Sequence, residues 1–173
     1  MPNLESHSAK QRILWAKLNF PNQMVLTTSG GKTSALLPHL VTSITGHTPP
    51  IIFIDTQNYT ESTYAMVQKL ISLGYPITTH KSQNGNKKQA LLKVFNQVKP
   101  AIWLRAIRSY QTPQRSRTKI LEKKDGIFRL NPVLDWSKRK VNKYIKEHNL
   151  PTNPGHFDPA KGKNQNLECG ILF

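Results

Sequence analysis

Only one cysteine, Cys169, occurs in the 173 residues. That count excludes an intramolecular disulfide framework and a cysteine-ligated iron–sulfur cluster built within one chain. Acidic residues are scarce as well. Nine Asp and Glu stand against 25 Lys and Arg, a formal net charge of +16. Such a surface attracts polyanions and repels its own copies, which favours a monomer. A phosphorylated nucleotide needs only a handful of cations, so the surplus leaves room for nucleic acid or an acidic partner. A solvated basic surface is the plainer reading of the same charge. Long apolar runs are missing: none approaches the 18 residues of a membrane-span candidate. Met1 to His7 carry no basic-then-apolar leader, so a cytoplasmic protein with no membrane attachment is expected. With no internal repeat and no long linker, residues 1–173 are expected to form a single domain, with an irregular tail over 150–173 that carries Cys169.

What the chain does contain is strand–helix alternation. Ile13, Leu14 and Leu18 predict an N-terminal helix over residues 4–18. Met24-Val25-Leu26-Thr27 reads as a buried strand entering a turn, and helical spacing follows from Thr33 through Leu36, Leu37, Leu40, Val41 and Ile44, with Gly46 as its stop. Pro50 to Asp55 is a second buried strand. A helix with Tyr64, Val67, Leu70 and Ile71 on one face follows, ended by Gly74. Residues 77–81 make a third strand, and Ala90, Leu91, Val94, Phe95 and Val98 mark another helix. Residues 101–104 form a fourth strand and 127–130 a short one; Ser137 caps a last helix carrying Val141, Tyr144 and Ile145. The polar stretch between, residues 105–119, holds Arg105, Arg108, Arg115 and Arg117 and reads as a functional loop. This order predicts a three-layer α/β/α fold with a mostly parallel sheet. In such sheets ligands bind at the carboxyl ends of the strands. Three polar segments, 28–32, 55–59 and 105–117, follow strands and are expected to converge there.

Gly31-Lys32-Thr33 looks like the end of a Walker A loop, but the glycine required five positions before Gly31 is Leu26, so that reading fails. What stands is strand, Ser29-Gly30-Gly31-Lys32-Thr33-Ser34, then helix. Two glycines bring backbone N–H groups close to an anion, and the helix start points its positive end at the same place. A plain strand–turn–helix connection would use Gly-Gly too.

Ser29-Gly30-Gly31-Lys32-Thr33-Ser34 resembles the PP-loop, S-G-G-x-D/T-S, of the adenine nucleotide α-hydrolase-like superfamily. Thr33 stands where members that cleave ATP usually carry aspartate. Further stretches are similar to the phosphoadenosine phosphosulfate (PAPS) reductase family, in order. Pro50-Ile51-Ile52-Phe53-Ile54-Asp55-Thr56 with Glu61 and Tyr64 is one. Trp103 to Thr112, with Arg105, Arg108, Gln111 and Arg115, is the next. Asn131-Pro132-Val133-Leu134-Asp135-Trp136 and His148-Asn149-Leu150-Pro151 follow, and Glu168-Cys169-Gly170-Ile171 resembles the family's C-terminal E-C-G segment.

The resemblance implies thiol-dependent reduction of PAPS to sulfite and adenosine 3′,5′-bisphosphate through an S-sulfonate on Cys169. It implies nucleotide binding by Ser29, Gly30, Gly31, Lys32, Thr33, Ser34, Asp55, Thr56, Arg105, Arg108, Gln111 and Arg115. A thioredoxin or glutaredoxin would be the external reductant, and the family's branch without an iron–sulfur cluster is the one that a single cysteine fits. Taken by itself, a lone cysteine more often fills a core position; the polar Asn164-Gln165-Asn166 before this one argue against a core strand. Asp55 alone reads as a turn residue, Trp103 and Trp136 as core, and His148 and His156 have no metal-ligand spacing. The excess charge and a short stretch between Asn153 and Glu168 support an alternative: a PP-loop protein that activates a nucleotide for sulfur modification of nucleic acid, or that binds nucleic acid.

Overall fold

The computed structural model describes residues 2–158. Six strands form one sheet: β1 (Met24–Thr28), β2 (Ile51–Asp55), β3 (Ile77–Lys81), β4 (Ile102–Leu104), β5 (Leu121–Lys124) and β6 (Ile127–Leu130), in the order β3-β2-β1-β4-β6-β5. Every pairing is parallel except the β5–β6 hairpin. The helices are α1 (Ala9–Asn19), α2 (Leu36–Thr45), α3 (Glu61–Ser72), α4 (Lys87–Val98) and α5 (Lys138–Glu147). The expected α/β fold with a mostly parallel sheet is the one observed.

Strand side chains alternate between faces, and the core divides accordingly. Leu26, Ile51, Ile102, Leu104 and Leu130 pack with Ile13 and Ala16 of α1, Leu36, Leu37 and Leu40 of α2 and Val141 of α5. Phe53, on the same face of β2, meets Val67 of α3. The other face, with Val25, Ile52, Ile54 and Trp103, is covered by Leu91, Val94 and Phe95 of α4. The layers are thus unequal, four helices against one. Right-handed crossovers give this result: α2 and α3 step the chain outward from β1 to β3, and α4 must carry it back across the sheet to β4.

Element limits differ from the sequence expectation in three places, each for a local reason. The first helix starts at Ala9, not near residue 4, because Ser8 caps it in a capping box with Gln11. Leu4 instead enters the core, and Leu18, expected on the buried face, is 78% exposed. Residues 32–35 form turns ahead of α2, held by Ser34 N–H donating to Gly31 O and Leu36 N–H to Thr33 O. Strand β5 was not expected, since Leu121-Glu122-Lys123-Lys124 has no apolar alternation; its partner β6 and a tight turn with positive φ at Asp125 and Gly126 create it. Among the described residues, no helix is long and apolar enough to cross a membrane.

Candidate functional site

The outward march from β1 to β3 and the return to β4 leave a topological switch between β1 and β4, where a crevice opens beyond the strand ends. A cleft of about 670 Å³ occupies it. Its floor is Thr27 to Ser29 and Gly31 to Ser34 after β1; one wall is Arg105 to Arg108 with Tyr110, Gln111, Thr112 and Arg115 after β4. Lys138 and Asn142 of α5 close one side, and His156 with Asp158 another.

The loop after β1 is held from behind. Gly30 has φ +66, and a Cβ there would lie 2.8 Å from Thr63 Cγ2 and 2.9 Å from Thr63 O. Only glycine lets the turn pass so close to α3. Asn153 Nδ2, buried, donates to Gly30 O at 2.9 Å and to Ser62 O at 3.0 Å. Beside it, the His156 ring lies 3.2 Å from the position of a Cβ on Gly31 and its Nδ1 is 3.0 Å from Thr63 Oγ1. Asp158 pairs with Lys87 at the start of α4, both side chains nearly fully buried. A short segment after α5 therefore ties the glycine loop to α3 and α4.

The wall after β4 is rich in guanidinium groups. Arg105 is buried, donates to Asn131 Oδ1 at 2.9 Å and pairs with Glu122 at 2.7 Å. Arg108, also buried, donates to Thr33 Oγ1 at 3.1 Å and to Ala106 O, and its Nε has no partner. Gln111 Oε1 accepts from Arg108 N–H and from Arg115. Burial pulls both Arg105 and Arg108 below the ordinary guanidinium pKa, and repulsion from Arg115 acts the same way on each; Glu122 opposes this at Arg105 and Tyr110 at Arg108. Arginine keeps its proton at neutral pH regardless. Crowded like charges under partial desolvation are relieved by an anion, which is what a wall of this chemistry can accept.

A model of the phosphoadenosine phosphosulfate reductase domain matches residues 23–89 and 72–158. The chain belongs to the PAPS reductase family. It is 29% identical over 177 residues to a phosphoadenosine 5′-phosphosulfate reductase of Aliivibrio fischeri, covering 87% of this chain and 70% of that one. The corresponding enzyme of Buchnera aphidicola is 30% identical, with 90% and 74% covered. In three dimensions the chain resembles the phosphate complex of PAPS reductase from Candida auris, with a TM-score of 0.74 at 21% identity over 87% of this chain and 84% of that one. The fold is that of the adenine nucleotide α-hydrolase-like superfamily.

Within this PAPS reductase homologue, the structure gathers most of the residues singled out from sequence. Ser29, Gly31, Lys32, Thr33, Ser34, Arg105, Arg108, Gln111 and Arg115 line one cleft. Gly30 stands just behind it. Asp55 and Thr56 do not line it, contrary to expectation: Asp55 Oδ1 accepts from Gln57 N–H at 2.7 Å and from Tyr64 Oη at 2.8 Å, building the turn after β2. The cleft opens on the β4 side of β1, and no residue of the segment 55–59 lines it. Tyr59 there stacks against Phe53 and lies 6.1 Å from the His156 ring. Trp103 is buried as expected and also borders the cleft, its Nε1 donating to Thr27 Oγ1. Cys169 lies outside the described residues.

Asn153, His156, Asp158, Tyr110, Lys138 and Asn142 were not anticipated as parts of the site. Their signals are weak one by one, since each sits in an irregular or basic stretch. His156 in particular has no ligand-like spacing, and its position follows only from the path of residues 150–158 across α3.

Proposed function

We propose that the chain reduces PAPS to sulfite and adenosine 3′,5′-bisphosphate, with Cys169 as nucleophile and a thioredoxin- or glutaredoxin-type dithiol as electron donor. The observation that carries this reading is the cleft itself: a glycine loop of PP-loop pattern facing three arginines at the switch point of a PAPS reductase-family fold.

The nucleotide phosphates rest against the amides and hydroxyls of Ser29 to Ser34, and Lys32, Arg105, Arg108 and Arg115 balance their charge. The Cys169 thiolate attacks the sulfur of the phosphosulfate. The new S–S bond forms as the S–O bond to phosphate breaks, and the bisphosphate leaves carrying the electron pair. Cations beside the leaving phosphate stabilise that charge and lower the thiol pKa. A donor thiolate then attacks Cys169 Sγ, releasing sulfite and forming a mixed disulfide. The donor's second thiol resolves it, so two electrons pass from the dithiol to sulfur.

The test is sulfite release from PAPS with reduced thioredoxin. Activity abolished in Cys169→Ser, while adenosine 3′,5′-bisphosphate still binds, supports the reading. Pyrophosphate release from ATP that persists in that variant would instead favour nucleotide activation for sulfur modification, the alternative drawn from the charge surplus.

A further inference from the structure

Helix α5 has no role in holding the glycine loop, yet it concentrates charge. Its sequence, Lys-Arg-Lys-Val-Asn-Lys-Tyr-Ile-Lys-Glu, contains five cations and one acid. Val141 is buried, and Tyr144 and Ile145 are half-buried against the core. Lys140 folds over the Trp136 ring, 4.7 Å from its centroid. At 100° per residue, this places Arg139, Lys143 and Lys146, at i, i+4 and i+7, on the outward face as one stripe. All three are exposed, and Lys143 has only a loose 3.5 Å contact with Glu147. The stripe is about 10 Å long at 1.5 Å per residue. Its near end meets the cleft, because Lys138 and Asn142 of the same helix line it. Tyr110, 47% exposed, lines the same cleft.

We propose that the α5 stripe and Tyr110 form a docking surface for single-stranded nucleic acid, with the backbone along Arg139, Lys143 and Lys146 and a base stacked on Tyr110 at the cleft mouth. Regularly spaced cations on a rigid helix match a backbone with regularly spaced phosphates, and an exposed aromatic ring accepts any base. An acidic protein fits less well. Protein interfaces centre on apolar anchors and are depleted in lysine, and of the exposed large hydrophobic residues none lies on α5, leaving Tyr110 as the one such residue on this surface. Arg139, Lys143 and Lys146 line no part of the cleft, so the stripe stands or falls apart from the reductase reading, while Tyr110 borders both.

The experiment is fluorescence anisotropy of a labelled single-stranded 20-mer against the full chain, from 50 to 300 mM salt. The triple variant R139Q/K143Q/K146Q is expected to lose on the order of tenfold in affinity, and the slope of log K against log salt to fall by about two, near 0.7 per cation for single strands. A charge-matched triple on α1, α3 and α4, K10Q/K69Q/K93Q, is expected to change neither much. Tyr110→Ala should weaken binding several-fold with the slope unchanged. Sulfite formation in the α5 triple should match the parent, which separates this surface from the nucleotide site. Absence of binding at 50 mM salt, equal loss in both triples, or competition by polyglutamate as effective as by unlabelled oligonucleotide would each overturn the proposal.

Discussion

Replacing Gly30 by alanine tests how the glycine loop is held. Two costs are separable. The first is the left-handed backbone, φ +66, which disfavours any residue with a Cβ by about 1 kcal/mol or somewhat more. The second is contact: the new methyl would lie 2.8 Å from Thr63 Cγ2, 2.9 Å from Thr63 O and 3.1 Å from Val67 Cγ2. Thr63 is fully buried and its carbonyl belongs to the first turn of α3, so relief requires the loop or the helix to move. Overpacking of this kind costs about 1–3 kcal/mol, and the sum is roughly 3 kcal/mol. For a chain of this size, that lowers Tm by about 6–12 °C. Gly46→Ala is the internal control, since Gly46 has φ +71 but nothing within 4 Å of the added methyl; it should lose only the backbone part, about 1 kcal/mol. Urea unfolding measures both variants, and titration with adenosine 3′,5′-bisphosphate reports whether the displaced loop still binds. Equal destabilisation of the two variants would refute the close approach as the reason for glycine at position 30.

Other perturbations probe the segment that clasps the loop, and one helix pair. Asn153→Ala leaves Gly30 O and Ser62 O without their shared donor, which should cost about 1–3 kcal/mol in chemical denaturation; Asn153→Asp, presenting oxygen to two carbonyls, should be worse. Asp158→Asn leaves the buried Lys87 ammonium without its counter-charge and should cost about 3–5 kcal/mol, whereas replacing both partners with Met and Leu should recover much of the loss. His39 is held below its ordinary pKa, first by burial and then by the charge of His148, whose ring centroid is 4.7 Å away. Because the folded pKa is the lower one, the unfolded chain binds the extra proton first; stability is full above about pH 6.5 and declines as pH falls through the depressed folded value. His39→Gln should flatten that part of the pH–stability curve, and an unchanged slope would remove His39 from the account.

Much of the architecture could be read from side-chain periodicity. The apolar runs at Val25, Ile52 and Trp103 are short and bounded by turn residues, which favours strands, and the spacing of α2 to α5 has helical period, so neither depends on distant context. Gly46 and Gly74 end their helices with positive φ, and Ser137 accepts from Lys140 N–H, as local chemistry dictates. Strand β5 was not legible, because three of its four residues are charged and its pairing with β6 supplies what its own pattern lacks. The site divides in the same way. Ser29 to Ser34 and the arginines of the loop after β4 carry a motif in their own order. Asp55 and Thr56 carry one too, yet the cleft opens on the other side of β1. The clasp by Asn153, His156 and Asp158 had no local signature, since each acts on a partner 71 to 123 positions away.

From sequence alone came the parallel sheet, the glycine loop, the arginine-rich wall and the excess of positive charge, since composition and short-range spacing encode them. Tertiary structure decided which strand ends share a cleft, which acidic residues are spent on turns, and what braces the loop from behind. Those are properties of strand order and of the crossover carried by α4, and strand order brings together residues that no local pattern relates.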